Sequence, residues 1–153
     1  MKRQVKRWSC GAAALRNALR ALGQNEAEHK LRGLAGTSEQ GTDEEGLKRA
    51  ARALGYRVIE HWGSSRTESF DWLHGALRAG KPVVLCVDAW EHWVVAFGNL
   101  GDRICIYDSA RWDSVRNEDG VFVLDRAKLQ WRWWNARKSV EGKRRAYALA
   151  IYK

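Results

Sequence analysis

The sequence predicts an α+β domain in which helices pack on an antiparallel β-sheet. Segments with helical apolar spacing dominate the first half of the chain, and short β-rich runs between Gly, Asn and Asp turn residues dominate the second. Length is the third observation. A chain of 153 residues buries roughly 68–70% of its unfolded surface, which suits one core, so residues 1–153 are read as a single domain.

Over residues 10–22, Ala14, Leu15, Ala18, Leu19 and Leu22 recur at helical spacing, with Ser9 as N-cap and Gly23 as the stop. Cys10 therefore falls in the first helical turn. A short helix is expected over 26–34. The polar loop 36–41 then leads to a capping box, Thr42 with Glu45, that opens a helix through Leu47, Ala50, Ala51 and Leu54 up to Gly55. Residues 56–60 alternate like a strand, and 68–78 form a helix presenting Phe70, Leu73 and Leu77. Strands follow at 82–87, 93–97, 103–107, 121–124 and 146–152, where β-branched and aromatic residues concentrate.

Hydrophobic residues make up 45% and charged residues 29% of the chain, with a single proline, which excludes a disordered polymer. No apolar run approaches the ~18 residues that span a bilayer. Arg16, Asn17 and Arg20 interrupt the Ala-rich stretch after the basic start, so a secretory signal is not expected and the location is read as cytoplasmic. Cys86 and Cys105 lie in apolar runs and read as small buried hydrophobes. The cysteines are three in number, no CxxC occurs and the four histidines are scattered, so neither a disulfide framework nor a metal or other cofactor is expected.

The formal charge of +9 concentrates at the ends. Residues 1–8 carry four Lys/Arg, and residues 126–153 carry nine against Glu141 alone. This distribution favours an acidic polypeptide partner, with binding that weakens in salt. Nucleic-acid binding needs a contiguous cationic face that the spacing does not define. Trp131, Trp133 and Trp134 could stack on a ligand, although tryptophans more often pack in cores.

A thiol attacks as thiolate, and a cysteine at a helix N-terminus beside an imidazolium can have its pKa lowered to about 3.5–7.5. Cys10 occupies such a place, and Gly11, Ala12 and Ala13 suggest open space around the sulfur. An inert buried cysteine on a small-residue helix explains Cys10 alone equally well. His92 and Asp108 change the balance. His92 opens one strand, Asp108 closes the next, and the turn 99–102 lies between them. Pairing Gly98 with Arg103 would set residue 93 opposite residue 108 and bring His92 close to Asp108, which could fix the imidazole tautomer. Asp88 is the sequence-local rival for that orienting role. Gln4, six residues before Cys10, could donate to an oxyanion together with the Cys10 backbone N–H.

The ordered set Gln4, Ser9-Cys10-Gly11-Ala12-Ala13-Ala14-Leu15, Leu34-Ala35-Gly36-Thr37, Gly41-Thr42, Gly80-Lys81-Pro82-Val83-Val84, Glu91-His92-Trp93-Val94-Val95 and Ile106-Tyr107-Asp108 resembles the double-glycine leader peptidases. These are papain-like cysteine peptidases of bacteriocin processing, usually the N-terminal domain of an export ATPase. The resemblance runs from Gln4 to Asp108. It implies a papain-like fold, a triad of Cys10, His92 and Asp108, and an oxyanion role for Gln4. Ser109 departs from the proline that often follows the aspartate. The 153 residues hold neither a membrane span nor a Walker phosphate loop, so a stand-alone form is expected that need not inherit cleavage after a Gly-Gly leader.

The expected activity is hydrolysis of a peptide bond after small residues, Gly or Ala, through a Cys10 thioester, with a peptide or protein as substrate. Deamidation or transamidation of a protein glutamine would use the same residues. A non-catalytic peptidase-like binding module, contacting partners through the basic Trp-rich C-terminal stretch, is the alternative of a different class.

Overall fold

Residues 83–87 and 146–152 are apolar on both alternating sets of positions, and strands of that composition need cover on both faces. The structure, a computed structural model, describes residues 1–110, 120–134 and 146–153. Its elements are α1 (Cys10–Ala21), α2 (Glu28–Ala35), α3 (Glu44–Ala53), β1 (Arg57–Gly63), α4 (Arg66–Arg78), β2 (Val83–Val87), β3 (His92–Leu100), β4 (Arg103–Tyr107), β5 (Val121–Leu124), α5 (Arg126–Trp134) and β6 (Ala146–Tyr152). The strands form one sheet in the order β1-β6-β2-β3-β4-β5, and each neighbouring pair is antiparallel.

Helices cover both faces of this sheet, so the single helical layer expected from the order of elements becomes two. On one side Leu15, Leu19, Leu31 and Leu47 pack with Val84, Val95 and Leu149. On the other, Leu73 of α4 and Leu129 and Trp133 of α5 pack with Leu85, Val94 and Ile106. The fully buried β2 and the almost fully buried β6 are the physical reason for two layers. Among the described residues no helix is long and apolar enough to cross a membrane.

Helix α5 was not expected, because the basic charge of 126–153 suggests a solvated end. Asp125 caps it, its carboxylate accepting the Lys128 N–H at 2.9 Å. Leu129 and Trp133, four residues apart, anchor it, and the Trp133 indole donates to the Tyr147 carbonyl at 2.8 Å. Trp131, by contrast, is 73% exposed. Five cations of the basic stretch, Arg137, Lys138, Lys143, Arg144 and Arg145, and Glu141 lie outside the described residues.

Two capping expectations are corrected. Ser9 precedes α1 but makes no side-chain bond to the helix; its hydroxyl exchanges two bonds with the Lys6 backbone, each 2.9 Å. Asp43, not Thr42, caps α3 by accepting the Gly46 N–H at 2.7 Å. Thr42 is committed elsewhere, its hydroxyl to Thr37 and its carbonyl to the Trp93 indole. At Gly11 a Cβ would sit 2.9 Å from Thr42 Cβ, so glycine here permits the close approach of α1 to Thr42. Small residues at the start of α1 thus serve close packing.

Close approach also governs Gly46, where a Cβ would lie 2.2 Å from the Ala35 carbonyl oxygen. Gly46→Ala should therefore force α3 away from α2, at a cost of about 1–3 kcal/mol. Circular-dichroism melting checks this, with a Tm several degrees lower as the expected result. An unchanged Tm would show that the two helices can separate freely.

Candidate active site

Three elements meet at one end of the sheet: the start of α1 with Cys10, the start of β3 with His92, and the residue after β4, Asp108. His92 Nε2 lies 2.6 Å from Asp108 Oδ1, and His92 also hydrogen-bonds the Cys10 thiol. The register that achieves this differs from the expected one. Strand β3 continues to Leu100, which pairs with Arg103, and a bulge between Ala96 and Gly98 shifts the ladder so that Val95 faces Tyr107. Continuing that register places residue 94 opposite Asp108, so His92 becomes a diagonal neighbour on the same face. The expected pairing would have put the two side chains on opposite faces.

Asp88 does not reach His92. Its carboxylate receives Arg132 Nε at 2.9 Å and Nη2 at 2.5 Å. Asn99 is also turned away, with its amide 3.1 Å from His74 Nδ1. Asp108 is 1% exposed. Besides His92, its Oδ1 accepts the Ala110 N–H at 3.0 Å, and its Oδ2 accepts Arg132 Nη2 at 3.2 Å.

These contacts set the ionisation of the site. Burial pushes the Cys10 thiol up, but the hydrogen bond and charge of His92, with backbone hydrogen bonds at Trp93 and Gly11, outweigh it and leave the thiol below its ordinary value. Burial pushes His92 down, yet Asp108 and Cys10 raise it to about 9. Burial likewise opposes ionisation of Asp108, but His92, the Ala110 N–H and the Arg132 charge hold it below the usual carboxylate range. A thiolate beside an imidazolium therefore occupies the window between the lowered Cys10 pKa and about 9. Chemically, such a pair offers a nucleophile and a proton donor to the same substrate.

A cleft of about 310 Å³ opens over the pair and includes Gln4, Arg7, Glu39, Gly41 and Glu91 along its walls. Gln4 is brought to the site, but its amide is engaged: Nε2 donates to the Lys6 and Arg7 carbonyls at 2.9 and 3.0 Å. Its Oε1 accepts from the Ser109 hydroxyl at 2.9 Å, a bond that proline at this position could not make. Sequence reasoning missed the parts of Ser109, Asp88 and Arg132. For Arg132 the only signal was the Asp125, Leu129, Trp133 spacing, which places it on a helix. Among the described residues no group of three or more His, Cys, Asp or Glu side chains could hold a metal ion.

The model of the peptidase C39 family matches residues 1–133. The chain belongs to the peptidase C39 family. Within solved structures, it is similar to the peptidase domain of Streptococcus ComA, a bifunctional ABC transporter involved in a quorum-sensing pathway. The TM-score is 0.70 and the identity 23%, over 99% of this chain and 94% of that one. It is also similar to a double glycine motif protease from an AMS/PCAT transporter in complex with the leader peptide, at TM-score 0.71 and 17% identity over 97% and 87% of the two chains. The fold is thus that of the C39 peptidase domains, mixed helix and antiparallel sheet. An uncharacterized protein of Methanothermobacter thermautotrophicus is 50% identical over 55 residues, which are 36% of this chain and 39% of that protein.

Their surroundings separate the three cysteines. Cys86 is fully buried, and burial raises the Cys105 thiol. Iodoacetamide near pH 6 should therefore alkylate Cys10 well ahead of both, with labelled peptides counted by mass spectrometry. His92→Ala should slow that labelling, because the folded-state pKa of His92 is raised and its pairing with the thiolate is lost only as pH rises through about 9. Equal labelling of all three cysteines would remove the basis for a nucleophile at Cys10.

Proposed function

We propose that the protein is a cysteine peptidase that hydrolyses peptide bonds after small residues, Gly or Ala, through a thioester on Cys10. The observation that carries this reading is the hydrogen-bonded chain Cys10–His92–Asp108, of which Cys10 and His92 line a cleft of about 310 Å³. In the acylation step the Cys10 thiolate attacks the scissile carbonyl carbon. The C–N bond breaks as the His92 imidazolium gives its proton to the leaving amine. Water then attacks the thioester, His92 takes a proton back, and Cys10 leaves as thiolate. Asp108 orients the imidazole and stabilises its charged form. The Cys10 backbone N–H and the Gln4 amide are the oxyanion donors, and Gln4 must exchange one of its carbonyl partners for the developing charge.

Preference for small residues is supported by likeness to a double glycine motif protease in complex with its leader peptide. Glu39 and Glu91 line the cleft together with Arg7, so any preference for acidic polypeptides would come from cations outside it, such as the exposed Lys2, Arg3 and Lys6. That contribution should weaken with salt.

Mass spectrometry of a peptide library exposed to the protein tests the reading, with Cys10→Ala as control. New termini after Gly or Ala are the expected products. His92→Ala should lower the rate by about 10²–10⁴-fold. A gain of about one dalton at Gln without cleavage would instead assign a deamidase. An unreactive library together with an inert Cys10 would leave a binding module.

A further inference from the structure

We propose that Arg132 is a positioning residue of the site, holding Asp108 and the turn that delivers His92 in register with each other. The inference rests on the catalytic reading of Cys10, His92 and Asp108.

His92 Nε2 and the Ala110 N–H meet Oδ1 of Asp108, and Arg132 Nη2 holds the other carboxylate oxygen, Oδ2, at 3.2 Å. The guanidinium is in turn fixed by Asp88, which takes Nε and Nη2 as a fork. The backbone repeats the connection, since the Arg132 carbonyl accepts the Asp88 N–H at 3.0 Å.

Asp88 opens an unusual turn. Asp88, Ala89 and Trp90 have φ of 55°, 58° and 67°, three consecutive non-glycine residues in the left-handed region. Such a run persists only where its surroundings over-determine it. Arg132 supplies three of the bonds that do so, and Glu91 adds a fourth by donating its N–H to the Asp88 carbonyl at 3.2 Å. His92 is the next residue. One side chain on α5 therefore ties the carboxylate after β4 to the turn before β3. Lysine, a point charge without the fork, cannot hold both aspartates in this way.

A plain ion pair stapling α5 to the sheet would alter stability alone, so the test reads His92 itself. The groups that bear on His92 are Cys10 and Asp108 in contact, Arg132 and Asp88 behind Asp108, and Glu91, Glu39 and Arg7 around the cleft. Removing a cation without moving anything would raise the His92 midpoint. Loss of the Asp108 contact would lower it. Imidazole NMR titration and Cys10 alkylation by iodoacetamide at pH 6 are measured on the full chain, on Arg132→Met, Arg132→Lys and, as reference, Asp108→Asn.

For Arg132→Met the expected result is a fall of about one pH unit in the His92 midpoint and about tenfold slower alkylation. Arg132→Lys should restore only part of either. An unchanged or raised midpoint in Arg132→Met, or full restoration by lysine, overturns the proposal. Should Arg132→Met fail to fold, Arg132→Lys decides alone: a lowered midpoint with the charge retained supports the fork, and wild-type behaviour rejects it. If Asp108→Asn itself leaves His92 and Cys10 unchanged, it is the catalytic reading that fails.

Discussion

An ionised carboxylate that is 1% exposed persists only if its oxygens are supplied with donors, and Asp108 is such a group. Its requirement organises one end of the sheet. The Ala110 N–H serves it from its own loop, His92 from β3 and Arg132 from α5. Two of these donors are cationic, so the carboxylate stays charged in spite of burial and in turn keeps His92 protonated to about 9. The lowering of the Cys10 thiol below its ordinary pKa depends on that imidazolium. A chain of charge runs from α5 through the sheet end to the first turn of α1, and each member is ionised because its neighbour is.

Chain segments without regular structure are placed by the same logic of buried polar groups seeking partners. Residues 1–5 contain no helix or strand, yet Asn17 holds Lys2 by both its N–H and its carbonyl at 2.7 and 2.8 Å. Arg16 donates to the Arg3 carbonyl, and Glu28 accepts the Val5 N–H. Arg16 and Glu28 are themselves an ion pair at 3.4 Å with side chains 7% and 2% exposed. This buried polar patch on α1 and α2 fastens the strap that carries Gln4. Ser109, next to Asp108, completes the attachment at the other end of Gln4. The proposed oxyanion donor and the proposed orienting carboxylate therefore come from adjoining points on the fold.

Much of this architecture was legible in the residues. Periodicity marked α1, α3 and α4, and the β-rich runs marked every strand among the described residues, because those signals arise within a few residues of chain. Cys10 at a helix start and His92 and Asp108 at strand ends were legible for the same reason. Local rules failed where two local choices competed. Thr42 and Asp43 are both good caps, and the contact of Thr42 with Thr37 and Trp93 decided between them. Charge hid α5, whose Leu129 and Trp133 meet an apolar face made by strands distant in sequence.

By itself the sequence determined which residue types stand at element ends, and hence a thiol, an imidazole and a carboxylate that could meet. Only the tertiary structure decided which carboxylate meets the imidazole. A bulge between Ala96 and Gly98 shifts the β3–β4 register by one residue, and a shift of one exchanges the faces of a strand. Asp88 lies four residues from His92 along the chain, but its left-handed turn aims it at Arg132 on α5, forty-four residues away in sequence. Side-chain direction in strands and turns depends on register and backbone handedness, which are settled by long-range packing.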